Sequence, residues 1–402
     1  MDYLTFLRTE RRFLSFGISF TFFSSFGQTF LISLFVPYFL TDFDLSNAGF
    51  GGIYSIATLL SAGVLPWVGR LIDRVPLRWF SLAVACGLAI ACLLIALSWH
   101  LSLLFSALFL LRLTGQGLCG HTAETAMARF YDDRRGKALS ISSLGYPLGE
   151  AFLPTLIAAI LTWIHWRTVW GGMGILILFL FIPMIWLLAG RHIAGKTNPG
   201  NRGEAPESAR KSYGIILGDR RIWFLLPAVL MPPFWATGLF LYQVSVADEL
   251  GWTAGLIATA FVAFAIFRVA GSLLIGPLID RFSAQGLFPF FLLPMIAGLT
   301  VPIFYTPDWV AFLYMGLFGL TMGVGSNITS ALWAELFGTA IIGTVRSLFS
   351  ALMVLGAALS PVLLGALLDW QVPFEWVLGA GVITSILSTL LSLRVHPSFL
   401  HR

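Results

Sequence analysis

Charged side chains are scarce in this 402-residue chain: Asp, Glu, Lys and Arg together make up 11% of it. A soluble protein carries roughly a quarter. With a hydrophobic fraction of 58%, too little polar surface remains to coat a water-soluble globule of this length. That excludes a soluble enzyme, a disordered chain and a coiled coil. Cysteine is nearly absent. Cys86, Cys92 and Cys119 all lie inside apolar runs, which excludes a disulfide scaffold and offers no metal-ligand spacing. No nucleophile–base pair, phosphate loop or His-rich cluster occurs. Catalysis, a metal and a cofactor are therefore not expected. No small-residue cleavage site follows the first apolar run, so the arginine-bearing start up to Arg12 reads as a retained end rather than a signal peptide.

Long apolar runs are what the chain has in abundance. Its mean hydropathy is +0.88, and a helix needs about 20 apolar residues to cross a bilayer. Twelve such runs lie at 13–40, 47–68, 79–98, 102–128, 138–162, 168–190, 222–247, 252–275, 287–305, 309–336, 347–368 and 376–393. The expectation is an all-α integral membrane protein with the lipid bilayer as its main partner. Most connections are short. The exception runs from Arg191 to Arg220 and is rich in Gly, Pro, Ser and charge, so it reads as a linker. The expected organisation is a six-helix bundle over 1–190, a cytoplasmic linker over 191–220 and a second six-helix bundle over 221–402.

The net charge of +5 would suggest nucleic acid in a soluble protein. Here the basic residues sit in short loops, so they report topology and no nucleic-acid partner is expected. With the first end placed inside, removing Arg112, Arg167 and Arg268 from the 24 Lys and Arg leaves 21 on the inner side. The outer loops hold Arg167 and seven acids: Asp42, Asp44, Asp248, Glu249, Asp308, Asp369 and Glu375. Both termini are expected in the cytoplasm, with the chain multi-pass in the plasma membrane, or the inner membrane of a bacterium.

The chain also repeats itself. A shift of 207 residues lays Gly69–Arg74 (GRLIDR) on Gly276–Arg281 (GPLIDR), identical at five of six positions. The same shift lays Gly136, Ser140, Ser143, Gly149 and Pro154 on Gly343, Ser347, Ser350, Gly356 and Pro361. Two halves of like topology, with a substrate site at their interface, are the arrangement of parallel-repeat transporters. Gly69, Asp73, Arg74 and Arg78 resemble the major facilitator superfamily signature between its second and third helices. Gly276, Asp280 and Arg281 resemble its second copy. The run Arg112-Leu113-Thr114-Gly115-Gln116-Gly117 is similar to the family's fourth-helix motif. The resemblance covers nearly the whole chain. It implies two six-helix bundles about a pseudo-two-fold axis, a central cavity lined by helices 1, 4, 7 and 10, and inner loops that act as gating latches.

Charges inside spans are costly, about 2.5 kcal/mol or more on insertion scales, and mark function by default. Arg268 lies eight residues before Gly276, about 12 Å into the membrane at 1.5 Å per residue. An arginine there can hold a carboxylate by two parallel hydrogen bonds; the alternative is a structural ion pair. Arg112, about 15 Å into helix 4, binds substrate, assists proton transfer as the resembled fourth-helix motif implies, or is tied to backbone carbonyls. Gln116 shares its face. Glu150, the one carboxylate in the middle of a span, is the proton-coupling candidate and a possible counter-charge to Arg112. Glu124 and Glu335, near inner helix ends, are expected to pair with loop arginines such as Arg129 or Arg346 and to join the gate. Gln28, Tyr54, Tyr146, Tyr242, Gln243 and Asn327 are neutral groups that either line a cavity or hydrogen-bond between helices.

The lone arginine of helix 8 followed by Gly271, and the stretch Arg134–Ala138 leading into a glycine-rich helix 5, resemble the monocarboxylate porters. Helix 1 lacks the lysine of the animal porters and Phe264 replaces their Asp, so their proton relay is not carried over. The expected function is a secondary transporter of a small organic anion coupled to protons, working as a monomer. The alternative is a proton-antiport exporter of drugs or metabolites. That class shares the spacing of Gly136, Gly145 and Gly149 but has a Pro where Glu150 stands.

Overall fold

The protein's structure, a computed structural model, describes residues 3–131, 134–189, 214–338 and 341–395. Among them every regular element is helical. A backbone in hydrocarbon must satisfy its own hydrogen bonds, and a helix does this within one segment. Eleven helices are long and apolar enough to cross a membrane, and a bent pair makes the twelfth. The outer surface is apolar: Trp163, Phe179 and Trp376 are 90%, 78% and 74% exposed, a surface suited to lipid rather than water. Most of the expected linker, 191–213, lies outside the described residues. Contacts divide the chain into one unit of Met1–Leu45 with Gly52–Asn201, and another of Ser46–Gly51 with Arg202–Arg402.

In the first unit the expected single span over 13–40 is broken. The helix α1 (Tyr3–Phe23) ends in a 3-10 turn, Ser24–Gly27. Gln28 is extended (φ −84°, ψ 150°), and short helices α2 (Thr29–Ile32) and α3 (Val36–Asp42) follow. The two parts are inclined by 46°. Two serines and a glycine in sequence weaken the helix there. The next spans are α4 (Asn47–Gly69), α5 (Leu77–Ala96) and α6 (Leu101–Leu111). A π-helical segment, Arg112–Cys119, joins α6 to α7 (Gly120–Phe130). Helices α8 (Arg135–Ser142) and α9 (Gly145–Leu161) form the fifth span, and α10 (Trp166–Leu176) leads through a second π segment to α11 (Ile182–Leu188).

Small residues set the packing distances, as they do where helices lack a hydrophobic driving force between them. At the break, a Cβ on Gly27 would lie 2.5 Å from the amide nitrogen of Gln116 and 2.8 Å from Cα of Gly115. Gly145 and Gly149 of α9 seat Thr21 and Ser25 of the first span, and Thr21 Oγ1 donates to the Ser142 carbonyl at 2.6 Å.

The second unit is built on α12 (Arg220–Leu241), α13 (Gln243–Glu249), α14 (Ala254–Phe282), α15 (Ala284–Leu287), α16 (Leu293–Phe304), α17 (Asp308–Phe337), α18 (Ile342–Asp369) and α19 (Phe374–Ser392). Asp219 caps α12 by accepting from the Arg221 amide at 2.9 Å, and its hydrogen bonds from Arg221 hold its carboxyl below the usual range. Gly319 and Gly323 of α17 lie on the backbone of Phe264 and Arg268 of α14, so these two helices touch main chain to main chain. The first turn of α4 clusters with this unit. Asp369 accepts from the amides of Asn47 and Ala48, each at 2.8 Å, and from the Asn47 side chain at 3.0 Å. A carboxylate at a helix N-terminus satisfies orphan donors and the helix dipole together.

The packing at the break yields a test. Gly27→Val should lower stability by about 1–3 kcal/mol, because the added atoms meet backbone and cannot be relieved by a rotamer change. Gly172→Ala, at a site with nothing within 4 Å, should leave it unchanged. Thermal unfolding of both variants in detergent checks this; equal melting temperatures would refute the close contact.

Candidate functional site

Breaking the first span frees backbone groups inside the membrane, and one of them meets Arg112. Arg112 is 3% exposed. Its Nη1 donates to the Gly27 carbonyl at 2.9 Å and its Nε to Thr58 Oγ1 at 3.1 Å. The guanidinium carbon lies 4.9 Å from the Tyr54 ring centre, and the Tyr54 hydroxyl is 2.7 Å from Thr29 Oγ1. Four elements thus converge: the 3-10 turn, α2, α4 and the start of the π segment. π bulges of this kind frequently mark functional sites. Arg112 is thus tied to a backbone carbonyl.

Other expected residues surround this cluster unevenly. Gln28 donates to Ser24 Oγ at 3.3 Å, within the break itself. Gln116 is exposed, one turn beyond Arg112. Glu150 is 6% exposed and follows Gly149, the residue that seats Ser25. Tyr146 packs its hydroxyl on Gly120, 2.5 Å from where a Cβ would stand. Among the described residues no carboxylate forms an ion pair with Arg112.

In the second unit, Arg268 lies midway along α14 with its backbone against Gly323. It is partly exposed, its guanidinium 6.0 Å from the Phe264 ring centre. One turn on, Ser272 accepts from Asn327 Nδ2 at its carbonyl (2.9 Å) and hydroxyl (2.8 Å). Tyr242, 1% exposed, is set between the carbonyls of Asn47 (2.6 Å) and Pro361 (3.0 Å). Its hydroxyl therefore serves the backbone.

The loop residues divide in an unforeseen way. Asp73 forms its ion pair with Arg129, at the end of α7, rather than with Arg74 or Arg78. Arg129 also donates to the Ile72 carbonyl at 3.1 Å. Arg78 lies over the Trp186 ring instead, 3.0 Å from its centre. Gly69 presents its carbonyl to His121 Nε2 at 3.2 Å. In the second copy, Asp280 and Arg281 are exposed, as is Gly276. Glu124 is exposed on α7. Glu335 accepts from the amides of Ala284 (2.7 Å) and Gln285 (2.9 Å), capping α15 rather than pairing with Arg346. Sequence reasoning missed Gly27, Thr29 and Thr58. The Ser24-Ser25-Phe26-Gly27 string was the available signal for a break. Among the described residues no group of His, Cys, Asp or Glu has the makings of a metal site.

Comparison with known proteins was decisive for the family. A family model described as the Major Facilitator Superfamily matches residues 18–244 and 233–401. No curated protein matches the chain. Among solved structures, a bacterial homologue of the human lysosomal transporter Spinster, inward-facing and unoccupied, is 15% identical, with a TM-score of 0.69 and 98% of each chain covered. A point mutant of the nucleoside transporter NupG is 14% identical, with a TM-score of 0.74, covering 96% of this chain and 99% of the other. These likenesses establish the major facilitator fold.

Arg112→Met tests the role of the buried guanidinium. It leaves the Gly27 carbonyl and Thr58 without their donor, a loss of about 1–3 kcal/mol for a buried unsatisfied group. The expected result is a lower unfolding temperature even without substrate. Unaltered stability would show that the break holds without Arg112.

Proposed function

The chain belongs to the major facilitator superfamily and is a transporter rather than an enzyme; from that premise we propose that it carries a small organic anion, such as a monocarboxylate, together with protons by alternating access. The observation that carries this reading is Arg268. It sits at mid-depth in an unbroken apolar helix, fixed at its backbone by Gly323, with a side chain that is partly exposed. A guanidinium suits a carboxylate with two parallel donors. Phe264, one turn earlier, adds an apolar wall. Asn327 and Ser272, one turn later, already satisfy each other, and they form a neutral boundary to the same stretch of α14.

Glu150 is the proton carrier in this reading. Glu150 is buried, and it stands on the helix whose glycines seat the broken first span. Arg112, with two of its nitrogens engaged by Gly27 and Thr58, contributes by holding that break in shape, with Gln28, Gln116 and Tyr146 around it. Of the three glycines spaced as in antiport exporters, Gly145 and Gly149 pack α9 on the first span while Gly136 has nothing within 4 Å, so the spacing favours neither import nor export. Both termini are assigned to the cytoplasm on the distribution of Lys and Arg, and the plasma membrane and a monomeric working unit complete the proposal.

Uptake into proteoliposomes with and without a pH gradient tests the coupling. Glu150→Gln should retain exchange of a carboxylate but lose its accumulation driven by the gradient. Unchanged accumulation would remove Glu150 from the proton path. Arg268→Lys keeps the charge and loses the two-pronged geometry, so carboxylate transport should fall about tenfold or more, the effect of roughly 1.4 kcal/mol in a transition state. Normal transport by the Lys variant would end the organic-anion reading.

A further inference from the structure

Arg78 is the residue whose environment the transport reading does not use. It is the second residue of α5, in the first turn and at an end of its span. Its guanidinium carbon lies over the ring of Trp186 of α11, 3.0 Å from the ring centre. Trp79 meets the same indole edge-on at 6.1 Å and 73°. Arg78 Nε is buried without a hydrogen-bond partner, and among the described residues no acid pairs with this arginine, since Asp73 takes Arg129. A second guanidinium is anchored on the same turn of α11: Arg12 Nε donates to the Leu187 carbonyl at 3.0 Å. Two cations therefore meet one turn of α11, and among the described residues neither is in an ion pair with a carboxylate.

The surroundings show what kind of anion fits. Trp79 and Trp186 are 58% and 48% exposed, and Leu187 next to them is 65% exposed. Indoles at span ends sit at headgroup level in a bilayer. Below them the exposed Phe179 and Leu180 continue an apolar strip toward the membrane core. A free phosphate would satisfy the arginines but would gain nothing from the strip. A molecule with a phosphodiester on top and acyl chains below matches both parts. Stacking on an indole keeps the guanidinium partly desolvated and its plane fixed, which strengthens a charge-assisted contact to phosphate oxygens.

We propose that Arg78 and Arg12, with Trp79 and Trp186, form a binding site for the headgroup of an anionic phospholipid of the phosphatidylglycerol type. The test uses the purified full chain in detergent, with native mass spectrometry and thermal unfolding in the presence of phosphatidylglycerol, phosphatidylcholine or inorganic phosphate. Phosphatidylglycerol should be retained preferentially and raise the melting temperature more than phosphatidylcholine does; inorganic phosphate should do neither. Arg78→Gln should weaken retention of phosphatidylglycerol about tenfold or more, the loss of a charge-assisted contact. Trp186→Leu removes the stacking platform without touching any charge and should weaken it as well, so the proposal stays testable if one variant fails to fold. Arg70→Gln, at another arginine–tryptophan pair where the separation from Trp67 is 5.5 Å, should leave retention intact. Equal retention of phosphatidylglycerol by wild type and both site variants would overturn the proposal. An identical thermal shift from inorganic phosphate would overturn it too, in favour of a free-anion site.

Discussion

The hydrogen bond from Arg112 to the Gly27 carbonyl is the contact on which the first unit depends. A bilayer core supplies no water to a backbone group that leaves its helix. A span that breaks there must find donors in the protein. An arginine at the same depth is itself costly, by about 2.5 kcal/mol or more on insertion scales. Each feature alone would be unfavourable. Together they offset one another: the carbonyl gains a charged donor, and the guanidinium gains two acceptors and the face of Tyr54. Glycines make the meeting possible, since a side chain on either Gly27 or Gly115 would drive the two segments apart.

The second unit solves the same problem of a membrane arginine differently. Helix α14 runs unbroken from Ala254 to Phe282, so Arg268 adjoins no freed carbonyl of its own helix. Its position is set through the main chain, by Gly319 and Gly323 lying against the backbone of α14. Direct contact of backbones fixes a residue's depth and rotation more firmly than contact through long side chains does. One arginine is therefore part of a structural joint, and the other is a charge mounted on a stiff support. That contrast in how the two arginines are held is what the proposal of an anion at Arg268 builds on.

What could be read from sequence followed from quantities the chain itself fixes. Apolar run length gives the spans. The constant rise of a helix placed Arg112 and Arg268 inside them before any coordinates were known. The repeated Gly-x-Leu-Ile-Asp-Arg loops identified the family. Partners were less legible, because they come from other helices. Asp73 takes Arg129, fifty-six residues on, although Arg74 adjoins it in sequence. Glu335 caps α15 with both oxygens where an ion pair with Arg346 had seemed natural. The break at Gly27 was less legible for another reason: Ser, Gly and Phe in a membrane span read equally well as a packing face, and it is the extended backbone of Gln28 that shows the helix giving way there.

Scarcity of charge also explains how specialised each arginine is. The acceptor available at each position decides its chemistry: a carbonyl for Arg112, a carboxylate for Arg129, an indole for Arg78. Arg167 completes the series, and it stands at the end of the molecule otherwise poor in Lys and Arg. There it would weaken the charge asymmetry that orients a membrane chain. Its Nη1 is 2.5 Å from Asp42 Oδ2 and its Nη2 donates to the Ser98 carbonyl at 3.1 Å. Trp99 and Trp166 lie over the guanidinium at 4.4 Å and 4.2 Å. Asp42 ends the broken first span, so the pair ties that span to α10 while cancelling the charge. A lone basic residue among loops otherwise rich in acids is thus neutralised, because the fold gives it a carboxylate of its own.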